Sequence, residues 1–206
     1  MRCPTDIAAA LNVSRETLDR LEKLAELLQK WNPKINLVSK STLSQLWARH
    51  ILDSAQVFKL GRDVVHWVDI GSGGGFPGLV IALMKDEQGA PKRVTMIESD
   101  QRKCAFLRTV LRETGCEASI LDQRIEKAPP QAADILSARA LADLSVLCGF
   151  AERHLGGSGQ AVFPKGANWQ KEVALAQESW SFDLDVIQSK TEPEAVILKL
   201  GAIQRV

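Results

Sequence analysis

Apolar residues in the first third of the chain recur every three or four positions, as they do on one face of a helix. Ser14 can cap such a helix. Its apolar positions are Leu18, Leu21, Leu24, Ala25, Leu28 and Trp31. Pro33 disfavours helical geometry at the preceding Asn32, so this helix is predicted to end there. A second helix is predicted over about 42–58, with Gly61 beyond its end.

From position 64 onward, short strand-like runs alternate with helical patterns. The predicted strands are 64–70, 94–98, 118–121, 135–138 and 160–163. One predicted helix begins near 77, and three others cover 100–114, 143–154 and 169–179. Two further strands, 184–188 and 195–200, follow each other across a short polar stretch. The alternation indicates a mainly parallel sheet covered on both faces, and the last two strands indicate an antiparallel pair.

This order of elements predicts an α/β fold of class I, the Rossmann-like seven-stranded sheet of S-adenosylmethionine-dependent methyltransferases. The sheet is mostly parallel with a C-terminal antiparallel hairpin, whereas a plain dinucleotide-binding sheet would continue with a helix. Residues 1–62 are predicted to form a basic helical cap, and residues 63–206 the domain that binds S-adenosylmethionine.

The composition is that of a globular protein, with 206 residues of which 45% are hydrophobic and 25% charged. No apolar run approaches the roughly 18–20 residues that cross a bilayer, and the N-terminus lacks the pattern of a secretory signal. The four cysteines form no CxxC pair and the three histidines stand far apart, so no metal site is expected. Cys104 and Cys148 fall in apolar helical patterns and are predicted to be buried, reduced thiols of a cytoplasmic protein.

The charge is concentrated in one segment although the formal net charge is only +1. Between Lys30 and Arg62, six basic residues stand against one acidic residue, Asp53. Such a segment forms either a phosphate-binding face or an ordinary solvated helical surface.

A glycine-rich loop follows the first predicted strand. Five of the eight residues from Gly71 to Gly78 are glycine, and Pro77 stands where a helix can begin. Glycines let a ligand lie against the backbone, and the helix N-terminus attracts a carboxylate or a phosphate. We therefore predict a ligand-binding loop.

The class of ligand depends on the acids beside this loop. The loop satisfies G-x-G-x-x-G, a weak indication of dinucleotide binding. Glu98 ends the second strand, where a carboxylate accepts hydrogen bonds from ribose hydroxyls of either cofactor class. Asp69 directly precedes the glycines and suits the cationic amino group of S-adenosylmethionine, which is therefore the favoured ligand.

Several segments together resemble the RsmG (GidB) family over nearly the whole chain. They are 31–39 (WNPKINLVS), 49–54 (RHILDS), 69–78 (DIGSGGGFPG), 98–103 (ESDQRK) and 137–140 (SARA). The family comprises bacterial cytoplasmic enzymes that methylate N7 of guanine 527, in the 530 loop of 16S ribosomal RNA. The resemblance thus implies methyl transfer from S-adenosylmethionine to this RNA.

The resemblance also implies the residues of the site. Its cofactor-binding positions are Gly71, Phe76, Ile125, Glu126 and Arg139. The general methyltransferase pattern adds Asp69, Gly73, Gly75 and Glu98. Arg139 is also assigned to catalysis, as a residue that positions the reactants, because guanine N7 carries no proton and needs no general base.

The RNA-binding residues are predicted to be Lys34, Lys40, Arg49 and Lys165. Lys165 follows a strand and is expected to contact a phosphate or the guanine. Trp31 and Trp47 are expected in the core of the cap, although either could stack on a base.

Two predicted site residues have simpler alternative roles. Arg139 could instead pair with Asp134 or Asp143. His50 and Asp53 share a helical face, and a structural contact between cap and sheet is favoured over a catalytic pair.

The expected partner is 16S ribosomal RNA, as naked RNA, 30S subunit or assembly intermediate, with no membrane contact. We expect a monomer, although no residue pattern fixes the oligomeric state. The alternatives are a methyltransferase of a protein or small molecule, and an RNA-binding protein without turnover. The intact glycine loop, Glu98 and Arg139 disfavour the last.

Overall fold

A mixed β-sheet forms the centre of the chain. The computed structural model describes residues 1–61 and 64–206, and within them one sheet of seven strands is formed. The strands are β1 (His66–Ile70), β2 (Arg93–Ile97), β3 (Ser119–Leu121), β4 (Ala133–Ser137), β5 (Leu155–Lys165), β6 (Trp180–Gln188) and β7 (Val196–Arg205). Their order across the sheet is β3-β2-β1-β4-β5-β7-β6.

The pairing confirms the predicted sheet. β1 runs parallel to β2 and β4, β3 is parallel to β2, and β5 is parallel to β4. β7 is antiparallel to both β5 and β6. The strand order reverses between β1 and β4, and ligands of open α/β sheets bind where such a reversal opens a crevice beyond the strand ends.

Helices cover the sheet and form the N-terminal cap. They are α1 (Thr5–Leu11), α2 (Arg15–Ile35), α3 (Lys40–Leu43), α4 (Asp53–Phe58), α5 (Gly78–Met84), α6 (Gln101–Thr114), α7 (Leu144–His154) and α8 (Trp169–Gln177). Ser14 accepts a hydrogen bond from the Thr17 N–H, which confirms the predicted start of α2. Asp100 and Asp143 cap α6 and α7 in the same way.

The predicted end of α2 at Asn32 is wrong. The helix continues through Pro33 and ends at Ile35, and the capping residue Asn36 has left-handed backbone geometry (φ 48°). Pro33 removes only one backbone donor, and it does so in the last turn of a 21-residue helix. The buried Asn32 side chain also accepts a hydrogen bond from the Val38 N–H at 2.8 Å, which fixes the chain as it turns back.

The predicted second helix over 42–58 is interrupted. α3 ends at Leu43, and a π-helical turn over Trp47–Leu52 leads into α4. Such turns commonly occur at functional sites. The turn carries Arg49 and His50.

The cap and the sheet share one hydrophobic core. Leu21, Leu24 and Leu28 of α2 belong to the same buried cluster as Phe106 of α6, and Trp31 packs edge-on against Phe106 with ring centroids 5.8 Å apart. Trp31 is partly buried against this cluster, and the second predicted cap tryptophan, at position 47, is buried. The predicted boundary between 62 and 63, and with it the basic Arg62, lies outside the described residues.

Two of the helices, α6 and α7, each carry a buried cysteine. Cys104 and Cys148 are buried free thiols, as predicted, and burial raises the pKa of Cys148 to about 12. None of the helices in residues 1–61 and 64–206 is long and apolar enough to span a membrane.

Candidate functional site

The glycine-rich segment after β1 turns the chain with left-handed backbone geometry. Gly71, Gly73 and Gly75 have φ angles of 61°, 54° and 87°, a region that side-chain-bearing residues rarely adopt. The Gly71 N–H donates to the Ile97 carbonyl at the end of β2 over 2.8 Å. The loop is therefore a tight turn attached to the neighbouring strand.

A cavity of about 690 Å³ opens beside this loop. Its volume lies within the roughly 300–1,000 Å³ typical of small-molecule sites. The predicted cofactor residues that line it are Gly71, Gly73, Phe76, Glu98, Ile125, Glu126 and Arg139. The structure thus brings these residues together around one space, which we call the donor cavity.

Glu98 holds the backbone at the floor of the donor cavity. One carboxylate oxygen, Oε2, accepts a hydrogen bond from the Gly73 N–H at 2.8 Å. The other, Oε1, accepts from the Asp100 N–H, also at 2.8 Å. Each oxygen has a second lone pair, so the carboxylate can also accept hydrogen bonds from a ligand.

Asp69, which is predicted to bind the cofactor, is buried under the glycine loop. Asp69 is only 1% exposed and lies beneath the loop, outside the lining of the donor cavity. Its Oδ1 accepts from the Ser137 hydroxyl at 2.7 Å, and its Oδ2 accepts from the Gly78 N–H at 3.2 Å. Burial raises the pKa of Asp69 to about 6. The carboxylate therefore supports the loop from below.

Gly75 likewise shapes the loop without lining the donor cavity. A Cβ at this position would collide with the Leu79 side chain, and φ is positive. Gly75 lets α5 approach the loop closely, and its contact with the cofactor stays a prediction.

Arg139 extends from the end of β4 toward the cap. Its Nη2 lies 2.6 Å from His50 Nδ1, and its Nη1 donates to the Arg49 carbonyl at 3.0 Å. Asp53 Oδ2 is 3.5 Å from Nη1, and the guanidinium carbon lies 5.2 Å from the centroid of the Phe76 ring. Arg139 thus contacts Asp53 and His50 of the cap, and the alternative pairing with Asp134 or Asp143 is not formed.

His50 is a neutral acceptor in this arrangement. Because a guanidinium has no lone pair to offer, Nδ1 must accept from Arg139, and Nε2–H then donates to Thr42 Oγ1 at 2.9 Å. The Thr42 hydroxyl in turn donates to the Ser39 carbonyl. Burial, with the charges of Arg139 and Arg49, lowers the pKa of His50 to about 3.

Ile125 and Glu126 occupy the far wall of the donor cavity. Ile125 is buried, and its carbonyl accepts a hydrogen bond from His154 Nε2 at 3.0 Å. Glu126 is exposed at the rim. This pair therefore combines an apolar surface with an accessible carboxylate.

A cavity of about 360 Å³, which we call the second cavity, also has Arg139 in its lining. Both cavities are lined by Thr42, His50, Arg139, Ala140 and Ala142. Arg139 and His50 therefore form a wall that the two spaces share.

Lys165 lines the second cavity, but its ammonium group is already engaged. Its Nζ donates to the Ala142 carbonyl at 2.9 Å and to Glu172 Oε2 at 2.6 Å, and the side chain is only 9% exposed. A phosphate contact would require this buried ion pair to open. Binding of RNA by Lys165 therefore stays a prediction that needs this ion pair to be broken.

The other predicted RNA-binding residues lie on the surface of the cap. Lys34, Lys40 and Arg49 are exposed. Arg49 Nη1 lies 3.2 Å from Glu192 Oε1, and both side chains are about 40% accessible. Exposed pairs of this kind contribute little energy, so Arg49 can exchange its partner for a phosphate.

Some lining residues were not predicted from the sequence. The segment after α2 contributes Leu37, Val38 and Thr42 to the donor cavity. The reason is a close contact in which the Leu37 carbonyl lies within 2.8 Å of where a Cβ on Gly74 would stand. The motif at 31–39 was visible in the sequence, but no periodicity indicated that it meets the glycine loop.

Metal ligands do not cluster in the part of the chain that the structure describes. No group of three or more His, Cys, Asp or Glu side chains there could hold a metal ion.

Sequence comparison assigns the chain to a family. Residues 17–196 match the family model GidB, described as rRNA small subunit methyltransferase G. A protein named ribosomal RNA small subunit methyltransferase G from Ruegeria sp. (strain TM1040) is 56% identical over 196 residues, which cover 95% of this chain and 96% of that protein. Its namesake from Ruegeria pomeroyi is 54% identical over 199 residues, with 97% and 98% covered.

Solved structures show the same fold at low identity. A TehB-like S-adenosylmethionine-dependent methyltransferase from Corynebacterium glutamicum gives a TM-score of 0.58 at 14% identity, covering 88% of this chain and 98% of that one. TYW2 from M. jannaschii, solved in complex with AdoMet, gives a TM-score of 0.55 at 13% identity, covering 84% of this chain and 80% of that one. The fold is that of the class I methyltransferases, as predicted, and the chain belongs to the rRNA small subunit methyltransferase G family.

Proposed function

We propose that the protein transfers a methyl group from S-adenosylmethionine to N7 of a guanine in 16S ribosomal RNA. The family resemblance implies guanine 527 of the 530 loop. The observation that carries the proposal is the donor cavity, because it joins the glycine loop of the sheet to Arg139 and His50 at the border of the second cavity.

The donor cavity fits S-adenosylmethionine in shape and in chemistry. A Cβ on Gly73 would meet only the Gly71 carbonyl oxygen, at 3.7 Å, so the backbone is open to a ligand there. Glu98 has lone pairs left for ribose hydroxyls, and Ile125 offers an apolar surface to the adenine. We expect Gly71, Phe76 and Glu126 to complete this site.

The residues around the reacting atoms favour an acceptor that carries no proton. S-adenosylmethionine supplies an electrophilic methyl group on a sulfonium. Guanine N7 attacks with an in-plane lone pair, so the protein needs only to orient the two reactants. His50 fits this chemistry because its low pKa and its hydrogen bond from Arg139 leave it unsuited to act as a base.

The cap is the proposed RNA-binding surface. Lys34 and Lys40 are exposed on either side of the 37–39 segment that lines the donor cavity. Arg49 lines the second cavity on the adjacent π-helical turn. Phosphates bound to these cations would hold the RNA next to both cavities.

Methyl transfer from labelled S-adenosylmethionine tests the proposal. The substrates are 30S subunits and naked 16S RNA from cells that lack this protein, and mass mapping then locates the methylated atom. We expect one methyl group at a guanine N7. Methylation of a protein or a small molecule instead, or RNA binding without transfer, would refute the proposal.

A further inference from the structure

The second cavity has the position and the lining expected of a site for the RNA base that accepts the methyl group. It shares the Arg139–His50 wall with the donor cavity. A flat base that enters it can present one edge at this wall while its opposite edge contacts residues that line the second cavity alone. Enzymes that modify bases take the target nucleotide out of its stack into such a pocket.

Glu172 of α8 lines the second cavity but not the donor cavity. Its Oε2 accepts two hydrogen bonds, from the Leu144 N–H at 3.0 Å and from Lys165 Nζ at 2.6 Å. Among the described residues none donates to Oε1. The carboxylate is thus anchored through one oxygen and has the other available for a ligand.

The other carboxylates of the second cavity are either fully engaged or loosely held. Asp53 Oδ1 accepts from Gln56 and from Thr191, and Oδ2 faces Arg139. Glu192 is held only by its exposed pair with Arg49, so the fold does not fix its position. Glu172 is therefore the carboxylate best placed to accept a hydrogen bond from a base.

We propose that the second cavity binds the target guanine and that Glu172 Oε1 accepts a hydrogen bond from its 2-amino group. This inference rests on the proposed function, because it takes N7 as the atom directed at the donor cavity. The 2-amino group lies at the opposite end of the purine from N7. Adenine has no donor at this position, so Glu172 would also select guanine over adenine.

Glu172→Gln tests the hydrogen bond with little change of shape. The Leu144 N–H and the Lys165 ammonium are both donors, so the new amide must turn its oxygen toward them. Its NH2 group then replaces Oε1 and opposes the 2-amino group of guanine. We expect kcat/KM for guanine-containing RNA to fall by roughly 10- to 100-fold, as for loss of a hydrogen bond to a charged group.

Inosine supplies the matching change in the RNA, because it lacks only the 2-amino group. The wild-type protein is assayed on 30S subunits whose target guanine is replaced by inosine, and kcat/KM should fall by a similar factor. On this substrate Glu172→Gln should cause little further loss. Glu178→Gln, an exposed change just after the same helix, should leave both substrates unaffected.

The outcomes separate this inference from the proposed function. Equal losses by Glu172→Gln on guanine and on inosine would mean that Glu172 only supports the fold, and would overturn the inference alone. Equal wild-type activity on the two substrates would do the same. Absence of N7 methylation by the wild-type protein on guanine-containing subunits would instead overturn the proposed function.

Discussion

Arg139 Nη2 lies 2.6 Å from His50 Nδ1, and this contact joins the carboxyl end of β4 to the cap across 89 positions of sequence. Hydrogen bonding continues from His50 through Thr42 to the Ser39 carbonyl. Since Thr42 and Ser39 line the donor cavity, the orientation of Arg139 and the position of the cap segment depend on each other. This relationship determines what His50 can contribute to the reaction.

The rate of methyl transfer should show little dependence on pH between about 7 and 9. The pKa of His50 is lowered to about 3 and that of Asp69 is raised to about 6, so both groups keep one protonation state in this range. Single-turnover rates at saturating RNA and donor measure this. A steep rise with pH that disappears in a His50→Ala variant would instead indicate an acceptor that must lose a proton.

A variant that removes the hydrogen-bond acceptor of His50 should lower kcat more than a variant that keeps an acceptor there. His50→Leu leaves the Arg139 guanidinium without this partner, and we expect a loss of roughly 10-fold or more. His50→Asn can offer an amide oxygen near the position of Nδ1 and should retain most of the activity. Equal losses in two equally stable variants would contradict the positioning role.

Gly73→Val should abolish binding of S-adenosylmethionine while the protein stays folded. The φ angle of 54° disfavours a branched side chain, and the added atoms would enter the donor cavity. Calorimetry and thermal unfolding measure binding and folding separately. Gly157→Val is the control, because Gly157 is exposed and a Cβ there meets no atom within 4 Å. Unchanged affinity in Gly73→Val would show that the ligand binds elsewhere.

Replacement of Lys34, Lys40 and Arg49 by glutamine should weaken RNA binding and reduce its dependence on salt. Each lost phosphate contact should flatten the slope of log K against log salt by roughly 0.7–0.9. Lys92→Gln is the control, because this exposed lysine precedes β2 at the opposite end of the strands. An unchanged slope in the triple variant, with S-adenosylmethionine binding intact, would exclude this face as the RNA site.

Asp69 should make the free energy of unfolding depend on pH. Its folded pKa of about 6 exceeds the unfolded value near 4, so the folded state binds the proton more tightly between these values. The stabilisation is complete below about pH 4 and is lost as the pH rises through about 6, a change of about 3 kcal/mol.

Asp69→Asn does not titrate and should lack this contribution. Urea unfolding of the wild-type protein and of Asp69→Asn gives the difference in their free energies of unfolding. This difference should change between pH 4.5 and pH 7. A difference that stays constant with pH would mean that Asp69 titrates normally in the folded state.

The sequence by itself determined the sheet, the loop and the start of the main helices. Alternating runs predicted the strands because a buried strand needs only its own apolar residues and a turn at each end. Ser14 predicted the start of α2 and the glycines after Asp69 predicted the turn, because a helix cap and a tight turn depend only on residues close by in the sequence. The same reasoning failed at Pro33, where the buried Asn32 and its bond to Val38 outweigh a local preference.

Only the tertiary structure decided which polar groups are free to act. The sequence offered Lys165 as an RNA contact and Asp69 as a ligand for the cofactor, yet Glu172 and Ser137 engage them. The sequence contained both His50 and Arg139 but did not indicate that they are in contact. A polar group removed from water must find a partner, and that partner can come from any segment that packing brings near. Such pairings follow from the assembled fold and have no periodic signature along the chain.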